Sequence, residues 1–534
     1  IQPNKDGKMS LEKYTYVYHN EDGIQTDDKR EGFVYARENE YDCLFKEHCE
    51  VMSDYWKRTA IHIDGISLDE EAAIRFAQYH IMGMTPWHTN KLSIAAKGLT
   101  GEGYKGHVFW DTEIFIEPSL LFTYPEEARH LLEYRFHGLD GARNKAKDYG
   151  FSGAMFPWEA AKSGAEETPI YAALNIHTGK ANKVWSGIKE FHVTADIVYA
   201  LEKYYELTDD QDFMLHFGYE IAFETAEFWK SCAIWKSESE RYEICDVIGP
   251  DEYTEHIDNN AYTNYLAAYC VGTAIKYSKV LKNNNPDIFN HFNQKLGLSE
   301  RMMGWEHFRS HIYLPKPEAD GIIPQDDTFR NKPCIENIEK YKESPIKQSV
   351  FLDYSREEVV NMQVLKQADV VMLLNMFPHL FSEEIVKKNV LFYEKRTIHD
   401  SSLSYCAHAQ ACAAIGAKDL AWKFFEKCLM IDVDDNPHDT VDGIHSASLG
   451  GIWNCLILGF AGVNYEKGKL YVTPHLPDHW SRMQFNLVIR GQILTFEVTQ
   501  EDVCIECFDL MKKSIPVHIG TEEYMFNGEL KVNY

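Results

Sequence analysis

The apolar residues of this chain recur at helical spacing from about residue 67 to about residue 460, and this long run constrains the fold most strongly. After Gly462 the pattern changes to short segments in which apolar and polar residues alternate. Periodicity alone therefore predicts a mainly α chain, with a large helical domain followed by a small C-terminal β-sandwich. The predicted helices are 69–84, 111–121, 126–146, 191–207, 210–233, 259–281, 357–377, 383–394, 403–415, 417–430 and 446–458. The predicted strands are 469–473, 483–489, 492–498, 503–508 and 517–519.

The segment 245–264 crowds acidic side chains, asparagines, tyrosines and a histidine around Gly249 and Pro250. Like charges repel and their burial is costly, so such a cluster is usually kept for chemistry. A carboxyl group beside other acids and aromatic rings has a raised pKa, and it can stay protonated near neutral pH. We therefore take Glu252 as the candidate proton donor. A solvated acidic loop is the alternative, and composition alone does not separate the two.

A glycine-rich stretch, 98–106, leads into Trp110 and Asp111. An indole can cover the apolar face of a sugar ring, while a carboxylate accepts hydrogen bonds from two of its hydroxyl groups. The pair is thus a candidate sugar site. The alternative is an ordinary helix start with Asp111 near the N-cap.

Gly443 ends a polar loop, and a helix of small residues is predicted to begin at Ser446. Backbone N–H groups at a helix N-terminus favour an anion, and His445, Ser446 and Ser448 could add side-chain donors. The segment is a candidate anion site. A simple capped helix is the alternative.

The composition excludes several classes of function. The chain has 54 basic and 82 acidic residues, a net charge of −28, which argues against binding of nucleic acid or an anionic membrane. The twelve cysteines are scattered, with one C-x-x-C at Cys504 and Cys507, so we expect reduced thiols in a cytoplasmic protein and no metal site. No apolar run approaches membrane-spanning length and no secretory signal is visible.

Several ordered segments together resemble one family, the inverting α-glucoside phosphorylases of glycoside hydrolase family 65. The resemblance is closest to the kojibiose, nigerose, trehalose and glucosylglycerol phosphorylases, and it covers nearly the whole chain. It rests on the segments 97–104, 109–113, 248–253, 258–264, 366–369, 399–404 and 442–445.

The resemblance implies an (α/α)6 toroid for the catalytic domain, residues 67–460, followed by the C-terminal β-sandwich, residues 461–534. Residues 1–66 would be the remnant of an N-terminal β-sandwich, with its last strand within 11–18, and a linker helix over 31–56. Since such proteins carry a larger N-terminal sandwich, we expect this chain to be a fragment or a cleavage product. We also expect a homodimer.

The resemblance also assigns roles to residues, with inorganic phosphate as co-substrate and no cofactor. Glu252 would protonate the leaving oxygen while phosphate attacks the opposite face of the sugar. The residues expected to bind the α-glucoside are Trp110, Asp111, Tyr104, Trp158, Glu159, Glu190, His192, Lys366 and Gln367. Those expected to bind phosphate are His445, Ser446, Ser401, Ser402 and Gly443. A loop over 168–185 would border the acceptor.

Three alternatives stay open. Lys366 could instead be a buried ion-pair partner of Asp111 or Asp369. The chain could be an inverting hydrolase on the same scaffold, which requires a second carboxylate near the anion site, such as Asp400 or Asp442. A non-enzymatic carbohydrate-binding protein is the third.

Overall fold

The computed structural model of the chain describes residues 9, 11–17, 31–175, 177–434, 443–508 and 514–534. Helices dominate as far as residue 460 and strands follow, so the predicted mainly α chain with a small C-terminal β-sandwich is confirmed. The helices are α1 Glu31–Thr59, α2 Leu68–Met84, α3 Glu117–Leu121, α4 Pro125–His137, α5 Leu139–Asp148, α6 Ser186–Lys189, α7 Val193–Thr208, α8 Gln211–Phe213, α9 Tyr219–Cys232, α10 Ala261–Asn284, α11 Pro286–Leu296, α12 Leu298–His311, α13 Glu339–Lys342, α14 Arg356–Val359, α15 Val370–Met376, α16 Glu383–Glu394, α17 Ser402–Ala414, α18 Lys418–Met430 and α19 Ser446–Asn454. Three π-helical segments, Thr112–Ile116, Met214–Gly218 and Cys455–Phe460, adjoin α3, α9 and α19.

Six of these helices contact one another in a closed cycle. The π-helical turn with α3 contacts α7, α7 contacts α10, and α10 contacts α15; α15 contacts α17, α17 contacts α19, and α19 returns to the π-helical turn. Further helices, among them α2, α4, α9, α16 and α18, pack against members of this cycle. This cyclic order of contacts is the one that the inner ring of a toroid requires.

The starts of the six ring helices carry most of the predicted site. Asp111 directly precedes the π-helical turn, His192 precedes α7, Asn260 precedes α10, Asp369 precedes α15, and His445 precedes α19. Between successive ring helices the chain passes through one or more further helices, which are α4 to α6, α8 and α9, α11 to α14, α16 and α18 in turn. The ring helices thus begin at residues that are distant from one another in the sequence.

Local hydrogen bonds at two of the ring-helix starts come from the side chains of capping residues. The side chain of Asn260 accepts a hydrogen bond from the Thr263 amide, and that of Ser401 accepts one from the Leu403 amide. These caps end the preceding loops at defined positions.

The helix predicted over 357–377 is wrong. α14 ends at Val359 and α15 begins at Val370, with an irregular stretch between them. Within it the Lys366 amide donates to a carboxylate oxygen of Asp251 at 2.8 Å. That buried tertiary hydrogen bond replaces the intrahelical bond that the apolar spacing predicted.

The single helix predicted over 126–146 is interrupted at Gly138, where α4 ends. A Cβ atom at Gly138 would lie 3.1 Å from the Cα atom of Gly164. The close backbone approach explains the glycine and the break. Helices α11 and α12 were not predicted, although both show apolar side chains buried on one face.

Two sheets form the C-terminal sandwich. The strands of the described chain are β1 His62–Asp64, β2 Tyr171–Leu174, β3 Ala181–Lys183, β4 Ile234–Lys236, β5 Arg241–Glu243, β6 Val463–Glu466, β7 Lys469–Val472, β8 Arg482–Ile489, β9 Gln492–Thr499, β10 Asp502–Glu506, β11 Ile515–Ile519, β12 Glu522–Phe526 and β13 Glu529–Asn533. Of these, β2–β3 and β4–β5 are separate two-stranded sheets outside the sandwich. One sheet has the order β1-β8-β9-β10-β13 and the other β12-β11-β7-β6. Strand β1, which follows the linker helix, pairs antiparallel with β8 and ties the linker to this domain.

The expected strand within residues 11–18 is not found. The described residues 11–17 have no regular secondary structure, and Tyr18 lies outside the described residues. The linker helix is present as α1, with a break at Glu40, where φ is 54°. No helix in the described part of the chain is long and apolar enough to cross a membrane.

Candidate active site

Most of the acidic cluster is structural. Asp251 is fully buried, and its carboxylate accepts hydrogen bonds from the amides of Lys366 and Tyr253 at 2.8 and 3.2 Å and from the Gln325 side chain at 3.1 Å. Burial raises the pKa of Asp251 to about 7, although these hydrogen bonds oppose the rise. Asp251 therefore fastens the loop that carries Glu252 to the loop before α15.

Glu252 itself is an ion-pair partner. Its carboxylate lies 2.6 Å from the Lys366 ammonium, and the Arg356 guanidinium donates to its backbone carbonyl at 3.2 Å. Burial pushes the pKa of Glu252 upward, but Lys366, with Arg356 and His192, outweighs burial and holds the pKa below its ordinary value. The predicted raised pKa is thus wrong for this state of the site, because the sequence did not show the adjacent cation.

Lys366 pairs with neither Asp111 nor Asp369, which were the alternatives considered from the sequence. Its partner is Glu252, and the charge of that carboxylate helps to raise the pKa of Lys366 against the effect of burial. Gln367 is 2% exposed and donates to the Pro250 carbonyl at 2.6 Å. Its amide nitrogen therefore holds the Glu252 loop, rather than facing an open site as expected.

Asp111 directly precedes the π-helical turn Thr112–Ile116. It forms no side-chain cap on the helix that follows it, so the capping alternative is not realised. Burial raises the pKa of Asp111 to about 7; Glu113 and Glu252 add to the rise and Lys366 opposes it. These interactions place Asp111, Glu252 and Lys366 in one electrostatic cluster.

The Trp110 ring was predicted to cover a sugar, but it is buried and not accessible to one. It is 1% exposed and packs edge-to-face on Phe115 and His192, with ring centroids 5.3 and 4.9 Å apart. The Arg135 guanidinium binds Glu113 through two hydrogen bonds of 2.7 Å and also donates to the Phe109 carbonyl. Trp110 and this buried ion pair hold the backbone from which Asp111 projects.

Tyr104 lies on the glycine-rich loop beside the cluster. Tyr104 and Lys105 have φ values of 56° and 54°, and Tyr104 is 56% exposed. Its hydroxyl is within the electrostatic influence of Lys366, Glu252, Asp111 and Glu159. The left-handed turn therefore brings an accessible phenol to the edge of the site.

Trp158 and Glu159 form a second wall. The Trp158 ring packs edge-to-face on Phe109 and His192, and Glu159 pairs with the His107 ring at 2.8 Å. Burial raises the pKa of Glu159, and His107 opposes that rise. Both predicted residues thus lie beside the glycine-rich loop.

The side chains of Glu190 and His192 are both fully buried. Among the described residues neither Glu190 oxygen nor His192 Nε2 has a hydrogen-bond partner at ordinary geometry, although the Ser186 hydroxyl is near enough to lower the Glu190 pKa slightly. Burial raises the pKa of Glu190 well above its ordinary value, and the Glu252 charge adds to the rise. Burial and the neighbouring Glu252 charge therefore both favour the protonated form of Glu190.

His192 is fixed by groups that the sequence did not reveal. Its Nδ1 lies 2.7 Å from Asp196, and the other Asp196 oxygen accepts a 2.8 Å hydrogen bond from the Tyr262 hydroxyl. His192 and Asp196 are one helical turn apart at the start of α7, a spacing that could have suggested the pair.

The loop predicted to border the acceptor contains the hairpin β2–β3. Its turn residue Asn175 donates to Glu357 at 2.8 Å, and His177 pairs with Glu358 at 3.2 Å. The neighbouring Arg356 contacts the Glu252 backbone and pairs with Glu255 at 2.7 Å. The hairpin is therefore connected through α14 to the Glu252 loop.

The candidate anion segment packs against the glycine-rich loop. Gly443 has a φ of 99°, and a Cβ atom there would lie 2.9 Å from the Gly101 amide nitrogen. His445 is held by Asp432, whose two oxygens lie 2.8 Å from its Nδ1 and 2.9 Å from its amide nitrogen. Asp432 was not identified from the sequence, since nothing local marks a partner thirteen positions away.

The serines of the anion segment differ in what they can offer. The Ser446 hydroxyl is fully buried and donates to the Ala95 carbonyl at 2.7 Å, so its predicted role as a phosphate donor is not supported. Ser401 and Ser402 are partly exposed at the start of α17. The Ser448 hydroxyl donates to the Ser402 carbonyl at 2.9 Å, which joins the starts of α17 and α19.

Of the two carboxylates considered for a hydrolytic base, the structure describes only Asp400. It accepts hydrogen bonds from the Tyr253 hydroxyl at 2.7 Å and the Gln348 amide at 2.9 Å, one on each of its oxygens. Asp442 lies outside the described residues. The glycine-rich loop adjoins both parts of the candidate site, since Tyr104 lies within the electrostatic influence of Glu252 and Gly101 packs against Gly443.

Comparisons with known proteins show which family the chain is similar to. The family model of the glycosyl hydrolase family 65 central catalytic domain matches residues 75–454, and that of the family's C-terminal domain matches residues 464–524. A kojibiose phosphorylase of Halothermothrix orenii is 43% identical over 496 residues, 92% of this chain and 63% of its own length. A kojibiose phosphorylase of Escherichia coli is 45% identical over 490 residues, 92% of this chain and 61% of its own length.

This chain thus spans about three fifths of the length of these curated relatives, by the shares of 63% and 61%. A solved structure of a protein from the human microbiome superposes with a TM-score of 0.84 at 24% identity, covering 96% of this chain and 68% of that one. That likeness concerns the fold.

Proposed function

The chain belongs to glycosyl hydrolase family 65, and from that premise we propose that it cleaves an α-glucosidic bond with inorganic phosphate. The reaction would invert the anomeric carbon and give β-D-glucose 1-phosphate and a free acceptor. The observation that carries the proposal is that one glycine-rich loop adjoins both groups: Tyr104 lies within the electrostatic influence of Lys366, Glu252 and Asp111, and Gly101 packs against Gly443, two residues before His445.

The proposed roles follow from the contacts. Asp111 and Lys366 hold hydroxyl groups of the glucosyl ring, and Tyr104, Trp158 and Glu159 border it. Phosphate sits between His445, the partly exposed Ser401 and Ser402, and the start of α19. Anions are favoured there by the positive end of the helix dipole, although the amides of His445 and Ser446 themselves already donate to Asp432 and to the Ala96 carbonyl.

The chemical step moves one proton and one bond. A phosphate oxygen attacks the anomeric carbon as the bond from that carbon to the acceptor oxygen breaks. Glu252 gives its proton to the departing oxygen, so the acceptor leaves as a neutral alcohol. Since phosphate is already an anion, no carboxylate base is needed to activate it, in contrast to the water of an inverting hydrolase.

Glu252 has to gain a proton before each turnover, and Lys366 controls this step. With the ammonium at 2.6 Å the carboxylate is favoured. We propose that hydroxyl groups of the bound sugar draw Lys366 away, which lets burial and the neighbouring acids raise the pKa of Glu252. Binding of the correct ring then produces the protonated acid.

The hydrolase alternative is weakened by the occupied carboxylates. Asp400 accepts hydrogen bonds from Tyr253 and Gln348, and Asp432 from His445, so each of these two described acids already holds neighbouring groups in place. A phosphate site explains the histidine at this position more directly.

One experiment tests the proposal. The protein is incubated with kojibiose, nigerose, trehalose, maltose and glucosylglycerol, with and without phosphate, and β-D-glucose 1-phosphate and free glucose are measured. Kojibiose is the first candidate, because the two relatives described above bear that name. Phosphate-dependent formation of β-D-glucose 1-phosphate supports phosphorolysis. Equal release of glucose without phosphate supports hydrolysis instead, and no turnover of any of the five counts against both.

A further inference from the structure

We infer that Asp432 is the positioning residue of the anion site, acting on phosphate through His445. This inference rests on the proposed function, and it assigns a role to a residue that lies at the end of α18, away from every motif of the sequence.

Asp432 makes two hydrogen-bonding contacts with His445. One Asp432 oxygen lies 2.8 Å from His445 Nδ1 and the other accepts the His445 backbone N–H at 2.9 Å. A carboxylate accepts and does not donate, so Nδ1 carries its hydrogen toward Asp432. Both the ring and the backbone at the start of α19 are thereby fixed by one side chain.

The arrangement leaves the far ring nitrogen for a ligand. With Nδ1 committed to Asp432, Nε2 is the atom that His445 can direct to an anion, and it donates to the anion when both ring nitrogens carry hydrogen. Carboxylates that orient ligating histidines in this way are known at metal sites, where their loss costs about tenfold to a hundredfold in affinity.

The contact between Asp432 and His445 is largely shielded from solvent. The Asp432 side chain is 2% exposed and the His445 side chain 13% exposed, so solvent competes little with the pair. The Asp432 charge also acts on two other titratable groups, His80 of α2 and Cys428 of α18. The neighbouring Asp434 is exposed and serves as a matched control, since its substitution removes the same charge two residues away.

The experiment compares the wild type with Asp432→Asn, Asp434→Asn and His445→Gln. Phosphate binding is measured by calorimetric titration, and the KM values for phosphate and for the α-glucoside are measured separately. Asp432→Asn and His445→Gln should each weaken phosphate binding by about tenfold to a hundredfold, because a hydrogen bond to a charged group is lost. The KM for the α-glucoside should stay within about threefold of the wild type, and Asp434→Asn should leave both values unchanged.

A spectroscopic measurement separates positioning from a general loss of structure. In protein labelled with [15N]histidine, the hydrogen-bonded Nδ1–H of His445 should give a low-field proton signal. That signal should be missing in His445→Gln, shifted upfield in Asp432→Asn, and unchanged in Asp434→Asn. Normal phosphate binding in folded Asp432→Asn protein would overturn the inference.

The two proposals fail in different ways. If the wild type makes no β-D-glucose 1-phosphate, phosphorolysis is wrong, yet the phosphate titration and the proton signal still decide the role of Asp432. If phosphorolysis occurs and Asp432→Asn changes the KM values for phosphate and α-glucoside equally, the positioning role is wrong and phosphorolysis stands.

Discussion

The ammonium nitrogen of Lys366 lies 2.6 Å from a carboxylate oxygen of Glu252, and this ion pair sets the protonation state of the proposed proton donor. An ionised Glu252 has no proton to give. The pair therefore has to open before the glycosidic bond is cleaved, and the strength of the pair should be visible in the pH dependence of the reaction.

Lys366→Met should move the alkaline limb of the kcat/KM profile to higher pH. A general acid works only below its pKa, and Lys366 lowers that pKa. Removing the cation raises the pKa again, so activity should persist to a pH higher by about 1 to 3 units, the usual effect of an adjacent opposite charge. The absolute rate should fall, because Lys366 also holds the sugar. The exposed Lys395→Met is the control, and an unmoved limb would contradict this account of the pair.

Glu252→Gln should abolish most of the turnover while the protein stays folded. Loss of general acid catalysis costs about 10²- to 10⁴-fold in rate. Formation of β-D-glucose 1-phosphate measures the loss, and circular dichroism monitors folding. The exposed Glu238→Gln should behave as the wild type. A Glu252→Gln enzyme with a rate near normal would refute the assignment of the acid.

Asp111→Asn should lose activity and gain stability at alkaline pH. The pKa of Asp111 is about 7 in the folded chain, against an ordinary value of 3.8. Between these values the folded state holds a proton that the unfolded state has released, so stability falls as the pH rises through this window. A neutral asparagine avoids that loss. We expect a Tm higher than the wild type by about 1–3 °C at pH 8, with the difference disappearing toward pH 4; calorimetric scans at both pH values decide it.

Asp196→Asn should destabilise the protein by about 1–3 kcal/mol, because buried polar groups lose their partners. Asp196 accepts from the Tyr262 hydroxyl and pairs with His192 Nδ1, and all three side chains are fully buried. The asparagine amide keeps one acceptor oxygen for one of these two partners. Its NH2 group replaces the other acceptor oxygen, so it faces a partner that donates in the wild type. Thermal unfolding measures the loss, with the exposed Asp148→Asn as control. Equal melting temperatures for the two variants would argue against the network.

Asn175→Ala should raise the KM for the free acceptor by about 2- to 10-fold, because it removes the hydrogen bond to Glu357 together with two hydrogen bonds within the turn. Its side chain ties the β2–β3 hairpin to Glu357. In the reverse direction, with β-D-glucose 1-phosphate as donor, the KM for that donor should not change. Thr178→Ala, in the same turn, is the control. Equal changes in both KM values would mean that the hairpin does not border the acceptor.

The residues differ in how far the sequence could predict them. Glu252, Asp111 and His445 could be proposed because each stands in a segment whose composition or family likeness is unusual. Asp196 was missed although it lies one helical turn from His192, and Asp432 was missed because nothing local marks a partner thirteen positions away. The alternative partners considered for Lys366, Asp111 and Asp369, were the wrong acids, since which of several buried acids meets a cation depends on loop geometry.

By itself the sequence determined the order of helices and strands, and it pointed to the segments that carry the chemistry, since periodicity, capping residues and motifs act over a few neighbouring positions. Only the tertiary structure decided which charges meet. Closure of the helix ring brought Lys366 to Glu252 and Asp432 to His445, buried the Trp110 ring, and committed the Ser446 hydroxyl to a backbone carbonyl. Electrostatic interactions depend on distance and burial in space, and the linear chain specifies neither directly.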